Sequence, residues 1–142
     1  MEGGGFFLRD VTNSTTEESL FEGNEAGLSS FGGGLYADDS AYVKIRNTTF
    51  RSNTAHYGGG AYINDNADGS DFFNNIFLDN DASTGGGFAL CNSPFTLFYN
   101  NTVVGRGGDL LPEDVTDIGI VIDTNASPTL LNNVVANTTI GV

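Results

Sequence analysis

A chain of 142 residues, 39% hydrophobic and only 16% charged, has the length for one domain and enough apolar residues for a core, which excludes a disordered chain. Eighteen acidic residues against five basic ones give a net charge of −13, so nucleic-acid phosphates and anionic lipid are repelled and neither is expected as a partner. A single cysteine, Cys91, excludes an intrachain disulfide or a zinc cluster of several thiolates and is expected as a small apolar filler.

The elements recur in chain order. Gly-Gly-Gly begins at positions 3, 32, 58 and 85, in steps of 29, 26 and 27, with a weaker echo at Gly119. Behind each box apolar residues alternate: Phe6 and Leu8, Leu35 and Ala37, Ala61 and Ile63, Phe88 and Leu90, Ile120 and Ile122. Period two is the mark of a strand, and these ten residues are expected to point inward. Further strands follow on Val43 and Ile45, Phe72, Phe98 and Leu130, and then on Phe50, Phe77, Val103 and Val135. A second marker, Phe-x-x-Asn, closes the units at Phe21, Phe50 and Phe77 in steps of 29 and 27. Two markers in one register identify a solenoid.

Gly, Asn, Thr and Ser interrupt every stretch long enough for a helix, so almost no helix is expected. The fold class that follows is all-β: a parallel β-helix of about five coils, one domain over residues 1–142, with equivalent strands stacked roughly 4.8 Å apart. Glycines belong where a turn needs positive φ or where backbones of adjacent coils meet without room for a Cβ. Asn47, Asn74, Asn100 and Asn132 fall in one column and Asn75, Asn101 and Asn133 in the next, the pattern of an amide ladder between coils.

The GGG-[LAF] boxes alternating with Phe-x-x-Asn boxes resemble the repeats of polymorphic outer membrane proteins. The segment NASPTLLNNVVANTTIGV at 125–142 is similar to right-handed parallel β-helix repeats of secreted and cell-surface proteins. The resemblance spans nearly the whole chain and implies right-handed winding, which the usual sense of parallel crossovers also favours. It further implies an extracellular or cell-surface location and a structural or adhesive module within a longer exported polypeptide. The expected partners are glycans or host and cell-surface proteins.

No apolar run approaches the roughly 20 residues that cross a bilayer, so direct membrane insertion is not expected. Met1-Glu2-Gly3 starts neither a basic n-region nor an apolar h-region, which places any export signal outside these residues. The ends show no capping helix or charged terminal segment. Unclosed solenoid ends stack, so further β-helix coils or a second copy in a head-to-tail filament are expected there.

Chemistry-bearing residues are sparse. A pectate-lyase-like enzyme or a glycan-binding β-helix is the alternative function; an enzyme needs carboxylates, or an Asp/Arg/Lys set, converging on one face. Asp38, Asp39, Asp65, Asp68, Asp71, Asp79 and Asp81 recur near turns, where turn formation and solubility account for them, and the chain is read as non-enzymatic. The only histidine, His56, has no Ser or Asp partner in a triad pattern.

Asn64, Asn66, Asp68 and Ser70 fit the first half of a calcium loop, although Asn75 stands where its bidentate glutamate belongs, and a plain polar turn fits the same residues. Calcium is the one cofactor this pattern suggests. The acidic stretch 108–117 lengthens its repeat and leaves as an edge loop. Phe7, Tyr36 and Tyr62 share an outward register, which suits sugar rings, a protein partner or sheet stabilisation. Glycosylation sequons stand at Asn13, Asn47, Asn100, Asn125 and Asn137, with Asn47 and Asn100 inside the expected amide column.

Overall fold

The computed structural model describes residues 4–27, 29–65, 69–105 and 119–138. The first pass holds β1 (Phe6–Arg9), β2 (Thr15–Glu17) and β3 (Leu20–Glu22); the second holds β4 (Leu35–Asp38), β5 (Lys44–Arg46), β6 (Thr49–Arg51) and β7 (Thr54–Tyr57). The third carries β8 (Ala61–Asn64), β9 (Asp71–Phe73), β10 (Ile76–Leu78) and β11 (Asp81–Thr84). The fourth carries β12 (Phe88–Cys91), β13 (Leu97–Tyr99) and β14 (Thr102–Val104), and the last β15 (Ile120–Ile122), β16 (Thr129–Leu131) and β17 (Val134–Ala136). No helix occurs among the described residues.

Three five-stranded parallel sheets result, in orders β1-β4-β8-β12-β15, β2-β5-β9-β13-β16 and β3-β6-β10-β14-β17, with a two-stranded β7-β11 sheet beside them. From the first strand of a sheet to its fifth the chain completes four turns, close to the five coils expected. The register is the one the glycine boxes set: Leu35 pairs with Ala61, and Ala61 with Phe88.

Both expected roles of glycine occur. Gly58 has φ 61°, and a Cβ on Gly34 would stand 2.6 Å from the Gly60 carbonyl oxygen. Between sheets the chain turns on single left-handed residues stacked in columns: Asp10, Asp39, Asp65 and Asn92; then Glu18, Asn47, Asn74, Asn100 and Asn132; then Gly23, Ser52, Asp79 and Asn137, all with φ between 45° and 63°. Short polar Asn and Asp tolerate that region better than other L-residues, which is why they dominate the turns.

Just inside these turns lie two amide ladders. Asn101 Oδ1 accepts from the Asn75 backbone N–H at 2.9 Å, Asn75 Oδ1 from that of Thr48 at 3.0 Å, and Asn133 Oδ1 from that of Asn101 at 2.9 Å. Each side-chain nitrogen donates in turn to a backbone carbonyl of the preceding coil: Asn75 to Ile45, Asn101 to Phe72, Asn133 to Phe98. The Asn of the Phe-x-x-Asn box forms the second ladder, Asn24 to Asn53 to Asn80, through both backbone and side-chain nitrogens. The ladder thus satisfies buried groups that the bend would leave unpaired. It runs through the inner Asn column; the Asn47 column, expected to share this duty, is exposed, makes the left-handed turns and holds one amide rung, from Asn74 to Asn47.

Phenylalanines fill the interior. Phe21 stacks on Phe50 (5.0 Å between centroids) and Phe50 on Phe77 (4.8 Å), the inward side of the second marker. Phe72, Phe88 and Phe98 complete a fully buried aromatic core, each ring worth roughly 1.5–3 kcal/mol of burial. Eight of the ten residues expected to point inward are buried; Phe6 and Ile122 are 36% and 37% exposed. They occupy the same columns, but on the outermost passes no described strand covers their far side.

Candidate functional site

The outer face of the first sheet gathers aromatic rings. Phe7, Tyr36 and Tyr62 are register partners, with centroids 5.2 Å apart for Phe7–Tyr36 and 5.5 Å for Tyr36–Tyr62. Tyr36, expected exposed, is buried, because Phe31 lies across the stack 5.3 Å from Tyr36 and 5.1 Å from Tyr62 and reaches Tyr57 as well. Phe31 gets there because the first pass spends seven residues between Asn24 and Gly32, where the next spends four between Asn53 and Gly58. That difference in length was the signal in the sequence for an aromatic cover. The stack stabilises the sheet and leaves Phe7 as its exposed end.

At the edge of this face Arg9 donates to Asp38 Oδ2 through Nη2 (2.8 Å) and Nε (3.0 Å), and Asn64 Nδ2 donates to Asp38 Oδ1 (2.9 Å) and to Asp65 (2.8 Å). Partial burial pushes the Asp38 carboxyl up, but hydrogen bonds from Asn64, Arg9 and Tyr36 outweigh it and hold the group below its ordinary value. With the folded-state pKa depressed, the contribution to stability is complete at neutral pH and disappears as pH falls through that pKa, below the ~3.9 of a free aspartate. Urea unfolding at pH 7 and pH 3 is therefore expected to show a smaller acid loss for Asp38→Asn than for the parent chain. Equal losses would remove Asp38 from this role.

Cys91 is not core filler. It stands on the same face, half-buried in register with Asn64 and beside the Tyr62 hydroxyl. Burial pushes the thiol up, and Asp123 and Asp65 add to that against the neighbouring Tyr62 hydroxyl; burial raises Tyr62 too. Alkylation by iodoacetamide at pH 8 is expected to be slower than for a free cysteine, because less thiolate is present. A rate equal to that of a model thiol would contradict the placement.

On the second sheet's outer face Arg46 Nη2 bonds Asp71 Oδ2 at 2.9 Å, with Glu17 at 4.0 Å and Lys44 in register with Asp71. The bond to Asp71 raises the Arg46 guanidinium, and burial followed by the Asp71 carboxylate raises the Tyr99 hydroxyl. Phe73 stacks on Tyr99 at 4.9 Å beside them. Arg46 Nε and Asp71 Oδ1 are buried without a hydrogen-bond partner among the described residues. No repeated motif marked this patch, since its charged residues, Glu17, Lys44, Arg46 and Asp71, change in kind from one coil to the next.

The second turn column opens a groove of about 270 Å³, with Asn47, Asn74 and Asn100 along one side and Thr49, Ile76 and Thr102 along the other. Asn74 Nδ2 donates to Asn47 Oδ1 at 2.7 Å. All five sequon asparagines, Asn13, Asn47, Asn100, Asn125 and Asn137, are exposed at left-handed turns, so Asn47 and Asn100 do not compete with the inner ladder. Asn125 Nδ2 donates to Asn92 and Asn137 Nδ2 to the Gly105 carbonyl, while Asn13 and Asn100 make no side-chain hydrogen bond among the described residues.

Of the calcium-loop residues, Asn64 turns its amide nitrogen to two carboxylates and Ser70 is buried, whereas Asn66 and Asp68 lie outside the described residues. The acidic stretch 108–117 lies outside them too. Among the described residues no three His, Cys, Asp or Glu side chains are grouped to hold a metal ion. His56 packs edge-on against Tyr57 at 4.5 Å. Asp39, Asp65 and Asp79 are turn residues, and the ion pairs Arg9–Asp38, Arg51–Glu22 and Arg46–Asp71 each join neighbouring coils.

A family described as right handed beta helix region matches residues 1–103 and again 32–142, overlapping spans that together cover the chain. No curated protein and no solved structure matches it.

Proposed function

This chain belongs to the right-handed β-helix family, and on that premise we propose that it serves outside the cell as a non-enzymatic structural and adhesive rod. The observation that carries the proposal is the continuity of the two amide ladders and the phenylalanine stack from coil to coil. Ion pairs add to it by tying coils lengthwise. Such a body resists bending and carries its surface groups at fixed spacing, which is what a spacer or display element needs.

The edge strands at either end, β1 to β3 and β15 to β17, pair on one side only among the described residues, and Phe6, Leu130 and Val134 are exposed beside them. Each edge is a template for another coil, either of the same polypeptide or of a second copy stacked head to tail. The exposed turn asparagines are the acceptors for sugar wherever the host glycosylates.

Electron micrographs of the native material are expected to show straight rods or filaments. Compact isolated particles would overturn the proposal. The alternative, a pectate-lyase-like enzyme, draws on Lys44, Arg46 and Asp71 sharing one sheet face. Incubation with polygalacturonate and alginate separates the two, because only the enzyme would release shortened, unsaturated products.

A further inference from the structure

We propose that the groove over the second turn column binds neutral carbohydrate, as an uncharged oligosaccharide lying along the rod axis. Its walls offer two kinds of contact. Asn47, Asn74 and Asn100 present amides, each with a donor and an acceptor end, and Thr49 and Thr102 present hydroxyls that do both. Between the threonines Ile76, 46% exposed, supplies an apolar surface for the C–H face of a sugar ring.

The groove is built before any ligand arrives. The turn backbones are fixed by bonds between coils, from Asn47 N–H to the Phe73 carbonyl (3.1 Å), Asn74 N–H to Tyr99 (3.3 Å) and Asn100 N–H to Leu131 (3.0 Å). Immediately inside, Thr48, Asn75 and Asn101 use their side chains on the buried ladder and hold the outer amides in line. Little ordering entropy remains to be lost on binding.

Charge decides the ligand class. The chain carries −13, yet no Asp, Glu, Lys or Arg among the described residues lines the groove. A polyanion would be repelled by the surrounding field, and a cation would find no carboxylate to neutralise it. An uncharged polyol meets neither obstacle. Because amide and hydroxyl or methyl recur at roughly 4.8 Å from coil to coil, a polymer of repeating units matches the site better than a single small molecule. This site is separate from the structural role proposed above and depends only on the turn geometry.

The test uses the full chain made in a host that adds no N-linked sugar, so that Asn47 and Asn100 are bare. Cello-oligosaccharides, manno-oligosaccharides and oligogalacturonate are titrated while the side-chain amide signals of Asn74 and Asn100 and the Ile76 methyls are followed by NMR. At least one neutral series is expected to shift these signals, with oligogalacturonate at least about tenfold weaker. Asn74→Asp, which keeps a residue suited to the left-handed turn, and Ile76→Ala should each weaken the neutral sugar by up to about tenfold, the cost of one lost contact. Their melting temperatures are measured alongside to confirm folding. The proposal fails if neither neutral series moves these signals, if oligogalacturonate binds as well, or if both folded variants keep the parent affinity.

Discussion

Replacing Asn101 by leucine is expected to lower the unfolding free energy by about 3–5 kcal/mol, although the two side chains are similar in size. Asn101 Oδ1 accepts the Asn75 backbone N–H, and its Nδ2 donates to the Phe72 carbonyl and, at 3.3 Å, to Asn133. Leucine would leave at least two buried backbone groups unpaired, each costing about 1–3 kcal/mol. The neighbouring change Asn74→Ala removes an exposed amide and places alanine in a left-handed turn, so about 1–2 kcal/mol is expected. Urea denaturation of both variants gives the comparison. If Asn101→Leu proved as mild as Asn74→Ala, the inner ladder would not be a main support of the rod.

The second large effect concerns backbone contact between coils. Gly34→Ala places a methyl group 2.6 Å from the Gly60 carbonyl oxygen and 2.8 Å from Phe50 Cδ1. The carbonyl belongs to the next coil and Phe50 is fully buried, so neither side yields without moving a strand. A loss of about 3 kcal/mol or more is expected, at the upper end for an overpacked interior. Gly23 provides the contrast: its φ is +63°, but a Cβ there meets no atom of the described residues within 4 Å. Gly23→Ala is expected to cost only the conformational strain, about 1–2 kcal/mol. Equal costs would mean that coils are not pressed together at the glycine boxes.

Much of this architecture was legible in the sequence because repetition amplifies weak local signals. One alternating pair such as Leu35 and Ala37 is a poor strand indicator; the same pair at matching positions in successive units fixes both the strand and its neighbours. The two adjacent Asn columns were visible as well, but not their division of labour. Only φ separates Asn74, which turns the chain, from Asn75, which pairs the buried backbone. Both are asparagine for different physical reasons.

Features that occur once escaped such reading. Phe31 covers Tyr36 through a three-residue lengthening of a single pass, so no column announced it. Cys91 alternates outward like Asn64, its register partner, and its placement follows from strand period rather than from the usual preference of cysteine for the core. The Arg46–Asp71 pair brings together residues 25 apart, at positions where the other coils carry different side chains.

The most direct measurement of the stacking is the NMR scalar coupling transmitted through backbone hydrogen bonds. Coils stacked in the stated register place the Phe6 amide on the Gly34 carbonyl, Leu35 on Gly60 and Ala61 on Gly87, at 2.9, 3.0 and 3.1 Å. Couplings from those three nitrogens to those three carbonyl carbons are the expected result. Couplings to carbonyls four residues away, or to partners displaced from these by even one position, would contradict the columns and the rod built on them.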